Sequence, residues 1–324
     1  MVMQTSKRRA LICGVGGQDG AYLAQLLVGK GYEVVGTSRD VNAQRFSGLV
    51  SLNLVDRIKL LSMAPNDFRS VLQTLSASQP DEIYNLAGQS SVGLSFEQPV
   101  ETMESVSIGT LNLLEAIRFV GRPLRFYSAG SSECFGDTGT ARANEDTPFR
   151  PRSPYAVAKA CAHNLVANYR EAYGMHASTG ILFNHESPLR PERFVTQKII
   201  RGAARIARGE LDALSIGNLA IWRDWGWAPE YVEAMWRMLQ QDEPGDYVIA
   251  TGRSAPLEEF VALAFGHFNL DWRQHVRHDV ALLRPSDIRN GAADPGRAFE
   301  RLGWKASVRL EDLVGRMCEA ASKT

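Results

Sequence analysis

Tyr155 and Lys159, in Ser153-Pro154-Tyr155-Ala156-Val157-Ala158-Lys159, are the pair in this sequence best suited to acid–base chemistry. On a helix, a spacing of four puts both side chains on one face. An ammonium beside the phenol favours the phenolate and draws its pKa from about 10 toward neutrality. Tyr155 then becomes a general base for an alcohol. Upstream, Ser131-Ser132-Glu133 adds two hydroxyls and a carboxylate. A Tyr-x-x-x-Lys pair on its own is a common surface feature of helices, so its meaning depends on the elements around it.

The first such element is a glycine-rich turn, Gly14-Val15-Gly16-Gly17-Gln18-Asp19-Gly20. The apolar run Ala10-Leu11-Ile12-Cys13 before it reads as a buried parallel strand. After it, Tyr22, Leu23, Leu26 and Leu27 recur at helical spacing. Glycines at a strand-to-helix turn let backbone amides approach a pyrophosphate at a helix N-terminus. The alternative, a tight turn with no ligand, accounts less well for strand, turn and helix together. The next strand, Tyr32 to Arg39, ends in Thr37-Ser38-Arg39 rather than in the acid that holds the ribose of NAD. A hydroxyl pair and a guanidinium suit a 2′-phosphate, which predicts NADP, although Asp40 follows at once.

Strand and helix patterns alternate as far as about residue 183. Glu82 to Ala87, Arg125 to Ala129 and Gly180 to Phe183 read as strands; Leu111, Leu113, Leu114, Ala116 and Ile117 mark a helix. This predicts an α/β fold: a doubly wound parallel Rossmann sheet over residues 1–185, then a smaller C-terminal α/β substrate-binding domain over 186–324. The chain is expected to cross back to the first domain around 215–250. Ligands of such sheets bind at the carboxyl ends of the strands. Asn85-Leu86-Ala87, Ser128 to Glu133 and Asn184-His185-Glu186 all follow strands, and they are expected to ring one crevice.

Bulk composition narrows the class. The 324 residues carry 36 basic and 36 acidic side chains, so no global field recruits nucleic acid or a membrane. Cys13, Cys134, Cys161 and Cys318 are scattered, without metal-binding spacing, which suits free thiols in a cytoplasm. No metal is expected. Neither a signal peptide nor an apolar run of membrane-spanning length is evident.

Longer motifs carry a resemblance. Tyr84-Asn85-Leu86-Ala87, Pro151-Arg152-Ser153-Pro154-Tyr155, Asn184-His185-Glu186-Ser187-Pro188, Arg223-Asp224-Trp225-Gly226 and Arg284-Pro285 stand in order along the chain. With them the sequence resembles the extended short-chain dehydrogenases/reductases, and among these the GDP-mannose 4,6-dehydratase family, over nearly its whole length. The resemblance implies loss of water from a GDP-sugar by an internal NADP redox cycle. Tyr155 would take the proton of the C4 hydroxyl, Lys159 would hold the phenolate, and Ser131, with Ser132 beside it, would bond the C4 oxygen. Glu133 would remove the C5 proton and deliver it to the departing C6 hydroxyl. A simple epimerase or 4-keto-reductase needs no carboxylate there, whereas β-elimination does. A cofactor-sensing regulator without catalysis would be expected to lose Tyr155, Lys159 or the acid, and all three are present.

The same resemblance assigns Gly14, Gly16, Gly17, Gln18, Asp19, Gly20, Arg39, Leu86, Ala87, Gln89, Ser90, Tyr155, Lys159, His185 and Arg190 to the cofactor. It assigns Ser91, Asn184, Lys198, Arg223, Arg284 and Asp287 to the GDP-sugar. Some positions depart from the family pattern. Ala64-Pro65 replace the residues that contact adenine, Gln197 replaces an arginine, and Asp287 replaces a glutamate. These last two leave a GDP-manno-heptose open beside GDP-mannose. Apolar residues on more than one side of the helices 155–172 and 111–117 predict at least a homodimer. The loop after Arg39 is shorter than the family's tetramer-forming loop, so a homotetramer stays open.

Overall fold

Short runs of buried aliphatic residues, closed by glycine or polar turns, build the strands of the main sheet. In the computed structural model, which describes residues 7–323, these are β1 Arg9–Cys13, β2 Glu33–Ser38, β3 Lys59–Ser62, β4 Glu82–Asn85, β5 Arg125–Ala129 and β6 His176–Leu182. They lie in the spatial order 3-2-1-4-5-6, and a seventh strand, Asp246–Ile249, follows β6 at the edge. The pairings among β1 to β6 are all parallel. In β1, Ala10 to Cys13 have no exposed surface, as expected of a central strand covered on both faces. Strand order reverses between β1 and β4, which marks the switch point where ligands of this fold bind.

The residues divide into two units, each assembled from several stretches. The first takes the chain up to Ser131, then Ser153–Ile181 and Val232–Tyr247. Its helices α1 Gln18–Gly29, α2 Phe68–Ser78, α3 Gly109–Val120 and α4 Pro154–Tyr173 cover the sheet. Leu11, Val35, Val71, Ile83, Leu114 and Phe126 share one of its cores.

The second unit takes Ser132–Arg152, Leu182–Tyr231 and the chain from Val248 onward. It contains β7 Asn184–Glu186, β8 Leu214–Ile216 and β9 Trp222–Trp227. β7 pairs parallel with β9, Ser254–Pro256 pairs antiparallel with β9, and Val276–His278 pairs with β8. Helices α5 Val195–Ala207, α6 Leu257–His267 and α7 Leu310–Ala321 close a core around Ile199, Phe260, Phe265 and Leu313. The segment Asn184-His185-Glu186, which reads as a polar loop in the sequence, is itself a strand. β6 ends at Leu182 and the chain changes sheets there, so those residues gain a ladder with Trp225, Gly226 and Trp227.

Candidate active site

In the first unit the glycine turn has the geometry of a phosphate cradle. Gly14 holds φ at +83°, a left-handed conformation that costs side chains other than glycine. Its amide and that of Val15 donate to the Thr37 carbonyl at 3.1 Å, tying the turn to the end of β2. A Cβ on Gly14 would lie 3.0 Å from the Ala87 backbone and the Leu86 carbonyl. The residues after β1 and β4 therefore meet across the switch point. A Cβ on Gly20 would lie 2.6 Å from the Gly14 carbonyl oxygen and from the Val15 Cα, so the start of α1 packs directly on the turn. Gly17 occupies the N-cap of α1 without a capping side chain, and Asp19 lies in the first helical turn. Gln18 donates to Asp19 at 3.0 Å.

At the end of β2, Ser38 and Arg39 stand where the cofactor ribose is expected. Arg39 pairs with Glu101 at 2.9 Å, both side chains being largely exposed. Asp40 turns back on its own loop, accepting from the amides of Asn42 (2.8 Å) and Ala43 (3.2 Å). Gln44, which carries no motif, reaches the Ser38 hydroxyl and lies against Gly16. Neither Gln44 nor Glu101 is legible as a site residue from sequence. After β4, Gln89 donates to the Ser91 carbonyl (2.8 Å) and the Thr102 hydroxyl (3.2 Å), while Ser91 caps the next helix by accepting from Leu94 N. Ser90 stands exposed between them. Where adenine contacts were expected, Ala64 N donates to Ser70 and the Pro65 carbonyl accepts from Asn112.

The Tyr155–Lys159 pair is fixed by the start of α4. Ser153 caps the helix by accepting from Ala156 N at 3.1 Å, and Pro154 at its first position pre-sets the backbone. Tyr155 and Lys159 follow on one face, each buried to about 9% exposure. The Lys159 ammonium donates to the Ala129 carbonyl at 2.7 Å and lies 5.9 Å from the centre of the Tyr155 ring. This bond fastens α4 to the end of β5, two residues before the buried Ser131. Tyr155, Lys159 and Ser131 thus belong to one unit, positioned by β5 and α4.

Ser91, expected at the GDP-sugar, belongs to the first unit, whereas Glu133, Asn184, Lys198, Arg223, Arg284 and Asp287 lie in the second. Ser132 and Glu133 open a single turn of 3₁₀ helix, Ser132–Phe135. Arg223, on β9, is only 6% exposed. Burial lowers its pKa, and the carboxylates of Glu133 and Asp287 act against that by favouring the cation. Its guanidinium donates to the carbonyls of Trp222 and Ile288 at 2.9 Å each, and it pairs with Asp287 at 3.5 Å. Asp287 also faces Arg284 at 3.8 Å. Asn184 starts β7 and Lys198 lies half-buried on α5. His185 is buried, with Nδ1 2.7 Å from the Phe183 carbonyl and its ring stacked on Tyr231. Arg190 lies 3.3 Å from Glu186 and over the Phe194 ring.

The sequence model of one family, described as GDP-mannose 4,6 dehydratase, matches residues 11–317. This chain belongs to that family. It is 47% identical over 323 residues to GDP-mannose 4,6 dehydratase 1 of Arabidopsis thaliana, covering 97% of this chain and 89% of that one. It is 45% identical to the GDP-mannose 4,6-dehydratase of Sinorhizobium fredii, covering 97% and 96%. Among solved structures, the dTDP-glucose 4,6-dehydratase of Streptomyces venezuelae with NAD bound superposes with a TM-score of 0.87 at 20% identity, covering 97% of both chains. That likeness establishes the fold, a Rossmann-like parallel sheet flanked by helices.

Proposed function

We infer that this protein is a GDP-mannose 4,6-dehydratase, a lyase that removes one water from the sugar and forms a 4-keto-6-deoxy product. Glu133 carries the reading, because a carboxylate two residues beyond Ser131 is what a β-elimination requires and a simple epimerisation does not. Its kinship with Arabidopsis and Sinorhizobium dehydratases at 45–47% identity supports the same substrate.

The glycine turn supports a dinucleotide, since Gly14 takes a positive φ, Gly20 lets α1 pack directly on the turn, and Gly17 leaves the first amides of α1 without a capping side chain. NADP is favoured over NAD by Ser38 and Arg39 at the end of β2. Asp40, which follows at once and counts against it, has its carboxylate bonded to the amides of its own turn. When bound, the nicotinamide supplies reversible storage of one hydride, taken from C4 and returned to C6. Tyr155 takes the C4 hydroxyl proton, helped by the Lys159 ammonium, and the Ser131 hydroxyl bonds the C4 oxygen. The resulting ketone acidifies C5. Glu133 removes that proton and gives it to the departing C6 hydroxyl, so water leaves; the proton held by Tyr155 is returned at C5 as the hydride returns at C6, and no net oxidation occurs. Arg223 and Arg284 supply guanidiniums for the diphosphate, with Asn184 and Lys198 beside the nucleotide.

Among the described residues no helix is long and apolar enough to cross a membrane. The four cysteines are free, three of them buried, which supports a reducing cytoplasm. Exposed Phe119 on α3 and Val157 on α4 support a homodimer through those helices. Light scattering at micromolar concentration should give at least twice the 35.8 kDa chain mass, and a single-chain mass refutes the dimer. The activity is tested by incubating purified protein with GDP-mannose and no added cofactor. Mass spectrometry should show a nucleotide sugar lighter by one water. An unchanged sugar, in protein shown to hold NADP(H), overturns the reading.

A further inference from the structure

Three arginines outside the proposed machinery converge on one cavity of the second unit. Arg150, Arg152 and Arg289 line a space of about 500 Å³ together with Asp137, Ser286 and Asp287. None of the three guanidiniums makes an ion pair or side-chain hydrogen bond among the described residues. The two carboxylates, by contrast, are already engaged. Asp137 accepts from the amides of Gly139 (2.9 Å) and Arg289 (3.0 Å), and those bonds hold it below the usual carboxylate range despite burial. Asp287 is shared between Arg223 and Arg284. Positive charge on this wall is therefore in excess and unspent.

The cavity is also preformed. Its two walls come from distant segments stitched by backbone bonds. Thr138 N donates to the Asn290 carbonyl at 3.0 Å, Ala143 N to Ala292 at 2.9 Å, and Asp294 N to Ala143 at 2.9 Å. Trp222 N donates to the Arg289 carbonyl at 2.7 Å, and Arg150 N donates to Cys134 at 2.8 Å. A Cβ on Gly136 would collide with the Arg150 carbonyl, so that approach needs glycine. Three like charges held together on braced backbone repel one another, and an anion of high charge density relieves the repulsion.

We propose that Arg150, Arg152 and Arg289 form a phosphoryl-binding subsite, with Ser286 as an added hydroxyl donor. Guanidiniums suit tetrahedral oxyanions through paired N–H donors. The phosphoryl group comes from one of two sources: the nucleotide sugar itself, or a separate small phosphate that binds beside it. The subsite does not depend on the dehydratase reading, because none of its arginines has a role there and binding is measured without turnover.

The test is calorimetric titration of the purified protein with inorganic diphosphate at low salt. Wild-type protein should take up one diphosphate, and each of Arg150→Ala, Arg152→Ala and Arg289→Ala should weaken it by about tenfold. The three side chains are exposed, so near-UV circular dichroism should be unchanged in every variant. A Lys305→Ala control, beside a different cavity, should bind as wild type. No uptake by wild type, or uptake that survives all three substitutions, overturns the proposal. Repeating the titration with saturating GDP separates the sources. Loss of the arginine-dependent uptake assigns the subsite to the nucleotide's own phosphates, and continued uptake assigns it to a separate phosphate.

Discussion

Two glycines of the same helix should respond to alanine with opposite sign. Gly20 begins α1 against the glycine turn, and its added Cβ would lie 2.6 Å from the Gly14 carbonyl oxygen and the Val15 Cα. An ordinary contact begins near 3.4 Å, so backbone must yield by about 0.8 Å. No rotamer change relieves backbone, and the turn is tied to the Thr37 carbonyl by two amides. Overpacking of this kind costs about 1–3 kcal/mol, against a helix-propensity gain of at most about 1 kcal/mol. Gly29, near the other end of α1, is exposed and its Cβ meets nothing within 4 Å. Gly29→Ala should therefore stabilise by about 0.4–1 kcal/mol through the unfolded chain. Urea midpoints of cofactor-stripped protein should fall for Gly20→Ala and rise for Gly29→Ala. Gly20→Ala should also bind the dinucleotide more weakly, because the displaced amides are those proposed to hold its phosphates. A Gly20→Ala protein as stable as wild type, with its dinucleotide retained, refutes the close-packed turn.

Glu133→Gln should lower dehydration by about 10²–10⁴-fold while GDP and dinucleotide binding persist; near wild-type water loss in that variant removes Glu133 from the mechanism. Denatured wild-type protein should release NADP(H), and Arg39→Ala should weaken NADP more than NAD; release of NAD(H) alone contradicts the assignment. Burial pushes the Asp224 carboxyl up to about 6 from its ordinary 3.8, despite amide bonds from Thr251 and Gly252. The folded state thus holds this proton more tightly than the unfolded chain. Its contribution to stability is full below about pH 4 and is lost as pH rises to about 6, amounting to at most about 3 kcal/mol. Unfolding free energies from pH 4 to 7 should show that decline in wild type and lack it in Asp224→Asn; equal slopes refute it.

What could be read from the sequence was what short range decides. The apolar run of β1, the glycine turn and the helical period of α1 are contiguous, so one window holds the whole unit. Ser153-Pro154 announces the start of α4, and the spacing of Tyr155 and Lys159 then follows from helix geometry. The change of sheet at Asn184 was hidden, because it depends on β9, whose pairing no local pattern encodes. The membership of residues 132–152 in the second unit was hidden for the same reason: Thr138 finds its carbonyl at Asn290, 152 residues on. The setting of Asp40 is not legible from its place after Arg39: its carboxylate accepts from the amides of Asn42 and Ala43 in an Asx-type turn.

Arg223 shows how much a site residue's state can depend on distant segments. Read in sequence it is a phosphate-binding arginine. In the fold it is buried, and burial alone works against its charge. The carboxylates of Glu133, on the turn after β5, and Asp287, on the segment after Arg284, oppose that cost. Its donors to Trp222 and Ile288 satisfy the remaining guanidinium geometry. Glu133→Gln consequently removes two things at once, a proton carrier and part of the counter-charge of a buried cation. Removing one partner of a buried ion pair is strongly destabilising, whereas here Asp287 remains at 3.5 Å to hold the cation. The effect of Glu133→Gln should therefore fall on turnover far more than on GDP affinity. Asp287→Asn, which leaves the Glu133 carboxylate in place, should shift that balance toward binding.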